Sequence, residues 1–381
     1  ESAVRDGLLQ ADVSPYNGFT YDHLVGTKIG GTIFDGDGRR HTAADLLKYA
    51  DPKGITVMLH ASVHKILFRI KGQKRPLAHG VVFRDAAGNK HRAYLNPGPM
   101  NEIIVSAGAL GSPQLLMLSG VGPADHLKAH NITVVLDQPL VGQGMSDNPM
   151  NAIFIPSPNP VEVSLIQVVG ITRFGSFIEA ASGENFAAGT TQRDFGMFSP
   201  KIGQLSTVPP KQRSPEALAQ AIKAMEALEP TVFRGGFILE KIMGPISTGH
   251  LELRNKNPND NPSVTFNYFK DPEDLARFPL LLNMTASAPV NLLPRHANVS
   301  TSLEQFCKDT VMTIWHYHGG CQVGRVVDSD YHVLGVDALR VIDGSTFNYS
   351  PGTNPQATVM MLGRYMGVKI LRARLESLKT N

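Results

Sequence analysis

The sequence predicts a mixed α/β fold in which a second domain interrupts the first. Three observations carry that prediction. Glu102 to Val105 is a short apolar strand that passes through the small residues Ser106-Ala107-Gly108 into a helix begun by Ser112-Pro113. That is the strand–turn–helix unit of an α/β domain. The composition then shifts at Met145-Ser146-Asp147-Asn148-Pro149, and the chain stays rich in Pro, Ser and Gly towards residue 240. Finally, Pro355 to Leu378 reads as one long helix, with Lys369, Arg372, Arg374 and Lys379 towards its end, where cations suit the helix dipole.

Taken in order, residues 1–30 read as loop and short helix. Thr32 to Gly38 is an expected strand entering a turn, and His41-Thr42 opens a helix over Ala43 to Tyr49 with Thr42 as N-cap. Ile55 to Leu59 and Ala61 to Ile70 are rich in β-formers. Gly80 to Arg84 and Lys90 to Leu95 alternate around Asp85-Ala86-Ala87-Gly88-Asn89, a hairpin pattern. Pro at the first turn costs the helix Pro113 to Leu118 nothing. The small residues before it let either a flat or anionic group or a packed helix approach the backbone. In the middle region one helix is expected, Pro215 to Leu228, with strands at Ile246 to Leu253 and Ser263 to Tyr268. Asp271 to Asn283 is abrupt, because DPEDLAR runs straight into FPLLLNM. Thr301 to Cys307 starts a helix, with Glu304 completing a capping box.

The totals exclude several classes. The 381 residues suffice for two or more cores, and a net charge of +3 argues for neither nucleic acid nor a membrane surface. Ile103 to Val121 is too interrupted by polar residues and glycines to span a bilayer. Two cysteines, Cys307 and Cys321, form no disulfide framework; they either bridge or stay free. No G-x-S-x-G elbow, no H-E-x-x-H and no metal-ligand cluster occur. Sequons at Asn131, Asn283, Asn298 and Asn348 point towards the secretory pathway.

Chemistry concentrates in Thr313 to Val323, TIWHYHGGCQV. Histidine suits proton transfer near neutral pH. If this stretch is a strand, His316 and His318 point to opposite faces, so one can face a cavity while the other packs or meets solvent; the residues fit equally a buried histidine hydrogen-bonded within a glycine-rich turn. Gly319-Gly320 removes side chains where a ligand plane or another backbone comes close. Asn354, before Pro355, projects from a turn at the mouth of the last helix, either to cap it or to hydrogen-bond a ligand.

Together these pieces resemble the glucose–methanol–choline (GMC) family of flavin-dependent oxidoreductases. GALGSPQLLMLSGVG, Gly108 to Gly122, is similar to the family's second signature, with Ser112, Pro113, Leu115, Leu116, Ser119, Gly120 and Gly122 in register. WHYHGGCQVG resembles the catalytic-histidine stretch, in which His is followed by Gly three and eight residues on; that register selects His316, with Gly319 and Gly324, over His318. VIDGSTFNYSPGTNPQATVMMLGR resembles the closing motif. The WHYHGGC and DGSTF strings look like the plant branch holding HOTHEAD-like proteins and mandelonitrile lyases. Those lyases carry His where this chain has Asn354.

The resemblance implies an FAD/NAD(P)-binding Rossmann-like domain, incomplete at its N-terminus, with an inserted substrate domain built on an antiparallel sheet with helices. Residues 1–145 would be the C-terminal part of the FAD-binding domain, 146–310 the substrate domain, and 311–381 the return carrying the catalytic residues. It implies FAD as cofactor, with Val63 at the adenine end and Ala107, Gly108, Asp343, Gly344, Pro355 and Gln356 along the flavin. Trp315 would line the pocket or pack in the core. His316 would be the base for a small-molecule alcohol, such as a long-chain hydroxy fatty acid, and Asn354 would steady the developing alkoxide. A hydroxynitrile lyase with non-redox FAD is the alternative, and an inactive partial product is a second. Two departures from the family pattern stand out. The strand–G-x-G-x-x-G–helix that cradles the FAD pyrophosphate is absent, so the chain is expected to begin downstream of it. A segment is also expected to be missing where DPEDLAR meets FPLLLNM.

Overall fold

A computed structural model describes residues 2–162, 166–182, 212, 214–226, 234–278 and 303–380. In chain order the elements are α1 (Ser2–Gln10), β1 (Tyr16–Phe19), β2 (Gly26–Ile29), a 3-10 helix (Ala43–Tyr49), β3 (Ser62–Arg69), β4 (Leu77–Arg84) and β5 (Lys90–Tyr94). There follow β6 (Ile103–Val105), α2 (Gly108–Leu118), β7 (Val121–Gly122), α3 (Ala124–Ala129), β8 (Leu136–Asp137), β9 (Gln143–Met145) and β10 (Pro149–Pro156). Then come β11 (Val168–Ile171), β12 (Ser176–Ser182), α4 (Pro215–Glu226), β13 (Gly235–Ile242), β14 (Gly249–Glu252), β15 (Ser263–Thr265) and α5 (Pro272–Ala276). The last are α6 (Leu303–Thr310), β16 (Met312–Thr313), β17 (Leu339–Val341), a 3-10 turn (Gly344–Thr346) and α7 (Gln356–Thr380).

These elements divide into two compact units. The first comprises Glu1–Arg39, Asn148–Ser247 and Tyr268–Trp315; the second comprises Arg40–Asp147, Thr248–Asn267 and His316–Asn381. The division departs from the boundaries drawn on the sequence for a reason visible in the strand pairing. β2 hydrogen-bonds to β11, which ties the first 39 residues to the sheet of the first unit. β14 pairs with both β9 and β15, which ties residues 248–267 to the second.

The first unit is built on one seven-stranded sheet in the order β1-β2-β11-β12-β13-β10-β16. Its central strands β12 and β13 are antiparallel, pairing Phe177 with Lys241 and Ile178 with Glu240. One face therefore holds Phe177, Glu179, Leu239 and Lys241, and the other holds Ser176, Ile178, Glu240 and Ile242. On the first face Lys241 is buried in an ion pair with Glu179, its ammonium 4.6 Å from the Phe177 ring centroid. On the second, Ser176 Oγ donates to Glu240 at 2.7 Å. Leu8 of α1 packs on Val168 and Ile178, and the helix and sheet line a cavity of about 770 Å³.

The second unit gathers small sheets around α2. Buried Leu116 and Met117 of this helix pack with Ile66, Leu127, Met145, Leu251 and Val341. Ser119 fastens β3 to the helix end: its hydroxyl accepts from Ile66 N at 2.8 Å and donates to the Leu115 carbonyl at 2.6 Å.

Several expected elements form as read. Thr42 caps the 3-10 helix and shares a capping box with Asp45. The β4–β5 hairpin closes on Asp85, whose Oδ1 accepts from Asn89 N at 2.9 Å. Others do not. Thr32 to Gly38 is no strand, because Asp35 accepts from Asp37 N and Arg39 N and turns the chain on itself. Ile55 to Leu59 is also no strand. Among the described residues nothing pairs with it, and Ile55, Val57, Met58 and Leu59 stand exposed. Leu228, Asn283, Asn298 and Thr301 lie outside the described residues, as does the chain directly after Phe278. Both cysteines are free and buried.

Candidate active site

The site is built where two parallel strands end. β6 and β17 pair through Leu339 with Ile103 and Val341 with Val105. Beyond their carboxyl ends the chain turns, at Ser106-Ala107-Gly108 into α2 and at Asp343-Gly344 into a 3-10 turn. Ligands of α/β sheets collect at such strand ends. Asp343 joins the two turns. Its Oδ2 accepts from Gly108 N at 3.0 Å and from Ser112 Oγ at 2.5 Å, and its Oδ1 accepts from Ser345 N at 2.7 Å. Ser112 Oγ in turn accepts from Ala107 N at 3.0 Å, and Ser106 Oγ donates to the Ile342 carbonyl at 2.8 Å. Three donors on one buried carboxylate make a rigid corner.

The same turn keeps an open side. Gly108 has φ +82°, and a Cβ there would meet nothing within 4 Å. The N-cap of α2 is Ala107, which offers no side-chain cap. The two readings of this small-residue turn thus part: at Gly108 free space adjoins the backbone instead of a packed neighbour. A planar group or an anion fits there.

The histidine loop lies against these turns. His316 N donates to Asp147 Oδ1 at 2.9 Å. His318 forms an isolated two-bond bridge with Ser146, its N–H and C=O both engaged at 2.9 Å. Gly319 N then donates to the Gly344 carbonyl at 3.2 Å and Cys321 N to the Ser345 carbonyl at 2.9 Å. The chain is therefore a loop clamped on both sides, and His316 and His318 do not sit on opposite faces of a strand. Both are buried, at 8% and 3% exposure. His318 Nδ1 lies 3.0 Å from the His316 carbonyl, so its ring folds back on its own chain. Burial lowers the His318 pKa below 6.5, with that carbonyl acting weakly the other way. Gly319 has φ +84°, and a Cβ there would overlap the Gly144 carbonyl. The Gly319 half of the glycine pair is thus fixed by backbone packing.

The remaining candidates spread out. Asn354 is exposed at the turn before α7, and Pro355 opens that helix by accepting from Val359 N at 2.9 Å. Gln356 Oε1 accepts from Arg40 Nη2 at 3.4 Å. Val63 is exposed on β3, paired with Phe83. Trp315 closes the first unit, half-exposed with φ +61°, a backbone conformation unusual for a bulky residue. The hydrogen bonds bring together Ala107, Gly108, Asp343, Gly344 and the histidine loop; they do not link Val63 or Asn354 to them.

Asp147 and Ser112 hold this arrangement, and neither was singled out for it in sequence. The usable signal for Asp147 was the single charged residue in the glycine-containing run Gly142 to Pro149. Tyr317 stacks on Phe266, ring centroids 5.2 Å apart and planes within 6°. Burial pushes the Cys321 thiol far up, so it stays protonated. Among the described residues no cluster of three His, Cys, Asp or Glu suits a metal ion, and no helix is long and apolar enough to cross a membrane.

Residues 20–150 and 245–363 match two models described as GMC oxidoreductase. Protein HOTHEAD of Arabidopsis thaliana is 52% identical over 402 residues, covering 98% of this chain and 68% of that protein. An (R)-mandelonitrile lyase-like protein of Arabidopsis thaliana is 45% identical, covering 98% and 67%. The Sinalpyl alcohol oxidase Nec3 of Nesocodon mauritianus is 39% identical, covering 99% and 66%. In structure, a formate oxidase of Aspergillus oryzae aligns with TM-score 0.70 at 17% identity, covering 98% of this chain and 71% of that one.

Proposed function

Because the chain belongs to the GMC oxidoreductase family, whose members are FAD-dependent oxidoreductases, we propose that it oxidises the CH–OH group of a small alcohol with His316 as base. One observation carries this reading. His316 is buried and anchored to Asp147, in a loop whose next residues hydrogen-bond onto the turn that follows Asp343. A base pinned through its main chain is pre-oriented, and orientation is much of what the protein adds in such chemistry.

The open turn at Gly108 fits the flat ring system of FAD. Ala107, Gly108, Asp343 and Gly344 would hold it, with Pro355 and Gln356 along its edge and Val63 towards its adenine. No G-x-G-x-x-G turn occurs in the 381 residues, so the residues present fit the ring end of the cofactor and not its pyrophosphate. When bound, FAD supplies the acceptor for the hydride from the carbinol carbon. His316 takes the hydroxyl proton, which concentrates charge on oxygen and weakens the adjacent C–H bond. Asn354 donates its amide N–H to that oxygen, stabilising charge as it develops.

A lyase reading competes, since several relatives carry the name (R)-mandelonitrile lyase or lyase-like. Asn354 favours oxidation, because on the resemblance the lyases carry His at that position. The alcohol-oxidase name of another relative points the same way. Long-chain hydroxy fatty acids are the first alcohols to test. Exposed sequons at Asn131 and Asn348 support passage through the secretory pathway. The deciding experiment is anaerobic addition of alcohol to the FAD-loaded protein. Bleaching of the flavin absorbance is expected. Release of benzaldehyde and cyanide from mandelonitrile without bleaching would overturn the oxidation reading.

A further inference from the structure

The sheet β3-β4-β5 carries a charge imbalance that the whole chain hides. Residues 62–95 hold eight Lys or Arg and a single acid, Asp85, whereas the full chain nets only +3. The rest of the molecule is therefore net negative. Asp85 is already engaged, with His91 Nε2 at 2.8 Å and Asn89 N at 2.9 Å.

Strand register organises these cations. Arg84 pairs with Lys90, and Val82 lies between Lys65 and Arg92. Lys65, Arg84, Lys90 and Arg92 thus share one face. All four are exposed, and none forms an ion pair among the described residues. The next row pairs Gly80 with Tyr94. The Tyr94 ring lies across Gly80, where an added Cβ would stand 2.7 Å from its Cδ1. It also stacks on His79, with centroids 5.6 Å apart and planes within 6°. Tyr94 is nonetheless 55% exposed. The ring is therefore held on one side and open on the other, on the face of four cations free of ion pairs, of which Arg84 also donates to the Gly88 carbonyl.

We propose that this face binds an acidic polysaccharide, a chain of uronate sugars. The C–H face of a sugar ring is flat and apolar and suits an exposed aromatic ring held in place. Carboxylates recurring along the polymer suit guanidinium forks and ammonium groups. Strands stand about 4.8 Å apart and alternate residues about 7 Å apart, so the sheet presents a flat grid to a flat repeating chain. An anionic lipid surface would attract the same cations, but it would give no part to an aromatic ring held in place on that face. A single-stranded nucleic acid takes successive aromatic platforms, and this row offers one. Each exposed contact is weak alone, so affinity depends on repetition and falls with salt.

Affinity electrophoresis of the chain through gels holding polygalacturonate, neutral galactan or polyacrylate tests this. Retardation is expected in polygalacturonate above all. Replacing both Lys90→Gln and Arg92→Gln should weaken it about tenfold and flatten its salt dependence. Tyr94→Ala should weaken it about fivefold with the salt dependence unchanged, and Tyr94→Phe should retain it. Circular dichroism and melting check that each variant folds. Equal retardation in polyacrylate with Tyr94→Ala silent would overturn the proposal in favour of charge alone. Tighter binding to phosphatidylserine vesicles or to oligothymidylate would overturn it in favour of a membrane or a nucleic acid.

Discussion

Each of the two units contains a buried aspartate that closes a corner with backbone N–H groups, and the two corners are put to different use. In the first unit Asp274 accepts from Ile246 N at 2.7 Å and Ser247 N at 2.8 Å. Arg277 nearby donates to the carbonyls of Phe174, Gly175, Met243 and Gly244. Every group there is answered by the protein itself. In the second unit Asp343 does the same for Gly108 and Ser345, yet the turn it stabilises borders free space at Gly108. The device is common to both. Open space adjoins both, at Gly244 as at Gly108; what differs is the setting, because only the second corner stands at the carboxyl ends of parallel strands and at the start of a long helix, where ligands of α/β sheets collect.

The largest effect is expected at the histidines. His316→Ala should lower alcohol turnover about 10²- to 10⁴-fold, the usual worth of a general base, while flavin stays bound. His318→Ala should cost far less, since its ring is turned onto its own backbone. Flavin reduction rates measure both, and a larger loss at His318 would show that the glycine spacing selects the wrong residue.

The aspartates test the comparison itself. Asp343→Ala and Asp274→Ala should each destabilise by about 3 kcal/mol, because each leaves buried N–H groups unanswered. Only Asp343→Ala should also weaken FAD binding, read by flavin fluorescence at a temperature where both variants are folded. If Asp274→Ala weakens FAD binding equally, the distinction between the corners fails.

The buried cysteines give a smaller, pH-dependent effect. Burial first, and then the charges of Glu240 and Glu304, push the Cys307 thiol from 9.0 up to about 12. A raised pKa means the folded state holds its proton while the unfolded state releases it. Stability from this group is complete below pH 9 and is lost as pH rises towards 12, at about 1.4 kcal/mol per pH unit. Cys307→Ala should flatten the alkaline decline in denaturant midpoints; an unchanged slope would assign the decline to other groups.

The smallest effect belongs to His318, whose pKa burial lowers from 6.5. The unfolded state takes up the proton first, so the contribution is present above pH 6.5 and is lost as pH falls below it. His318→Gln should reduce the fall in Tm between pH 7 and 5. A fall of the same size in the variant would place the acid sensitivity elsewhere.

How much could be read in advance follows the range of the interactions. Thr42 as a cap, the β4–β5 hairpin at Asp85 to Asn89, the strand at Ile103 to Val105 and the long last helix rest on contacts within a few residues, and each was legible. The helix expected from Pro113 instead starts at Gly108, with Pro113 inside it, because the distant Asp343 carboxylate takes the Gly108 N–H. The histidine stretch left strand and glycine-rich turn both open, because its partners, Asp147, Ser146 and Gly344, lie far away in the chain. Ile55 to Leu59 has the composition of a strand, but a strand also needs a neighbour to complete its hydrogen bonds, and composition carries no information on that.

By itself the sequence determined which residue types stand where: glycines at Gly108, Gly319 and Gly344, a histidine at His316, an amide at Asn354, and the family motifs that contain them. Those are local choices, fixed by turn chemistry and spacing. Only the tertiary structure decided that Asp343 binds the Gly108 turn 235 residues away, that Gly319 yields to the Gly144 carbonyl while Gly108 opens on space, and that scattered lysines and arginines line up on one face of β3-β4-β5. The physical reason is the same in all three. Burial, open space and shared faces depend on which distant segments pack or pair, and that is settled only when the chain has folded.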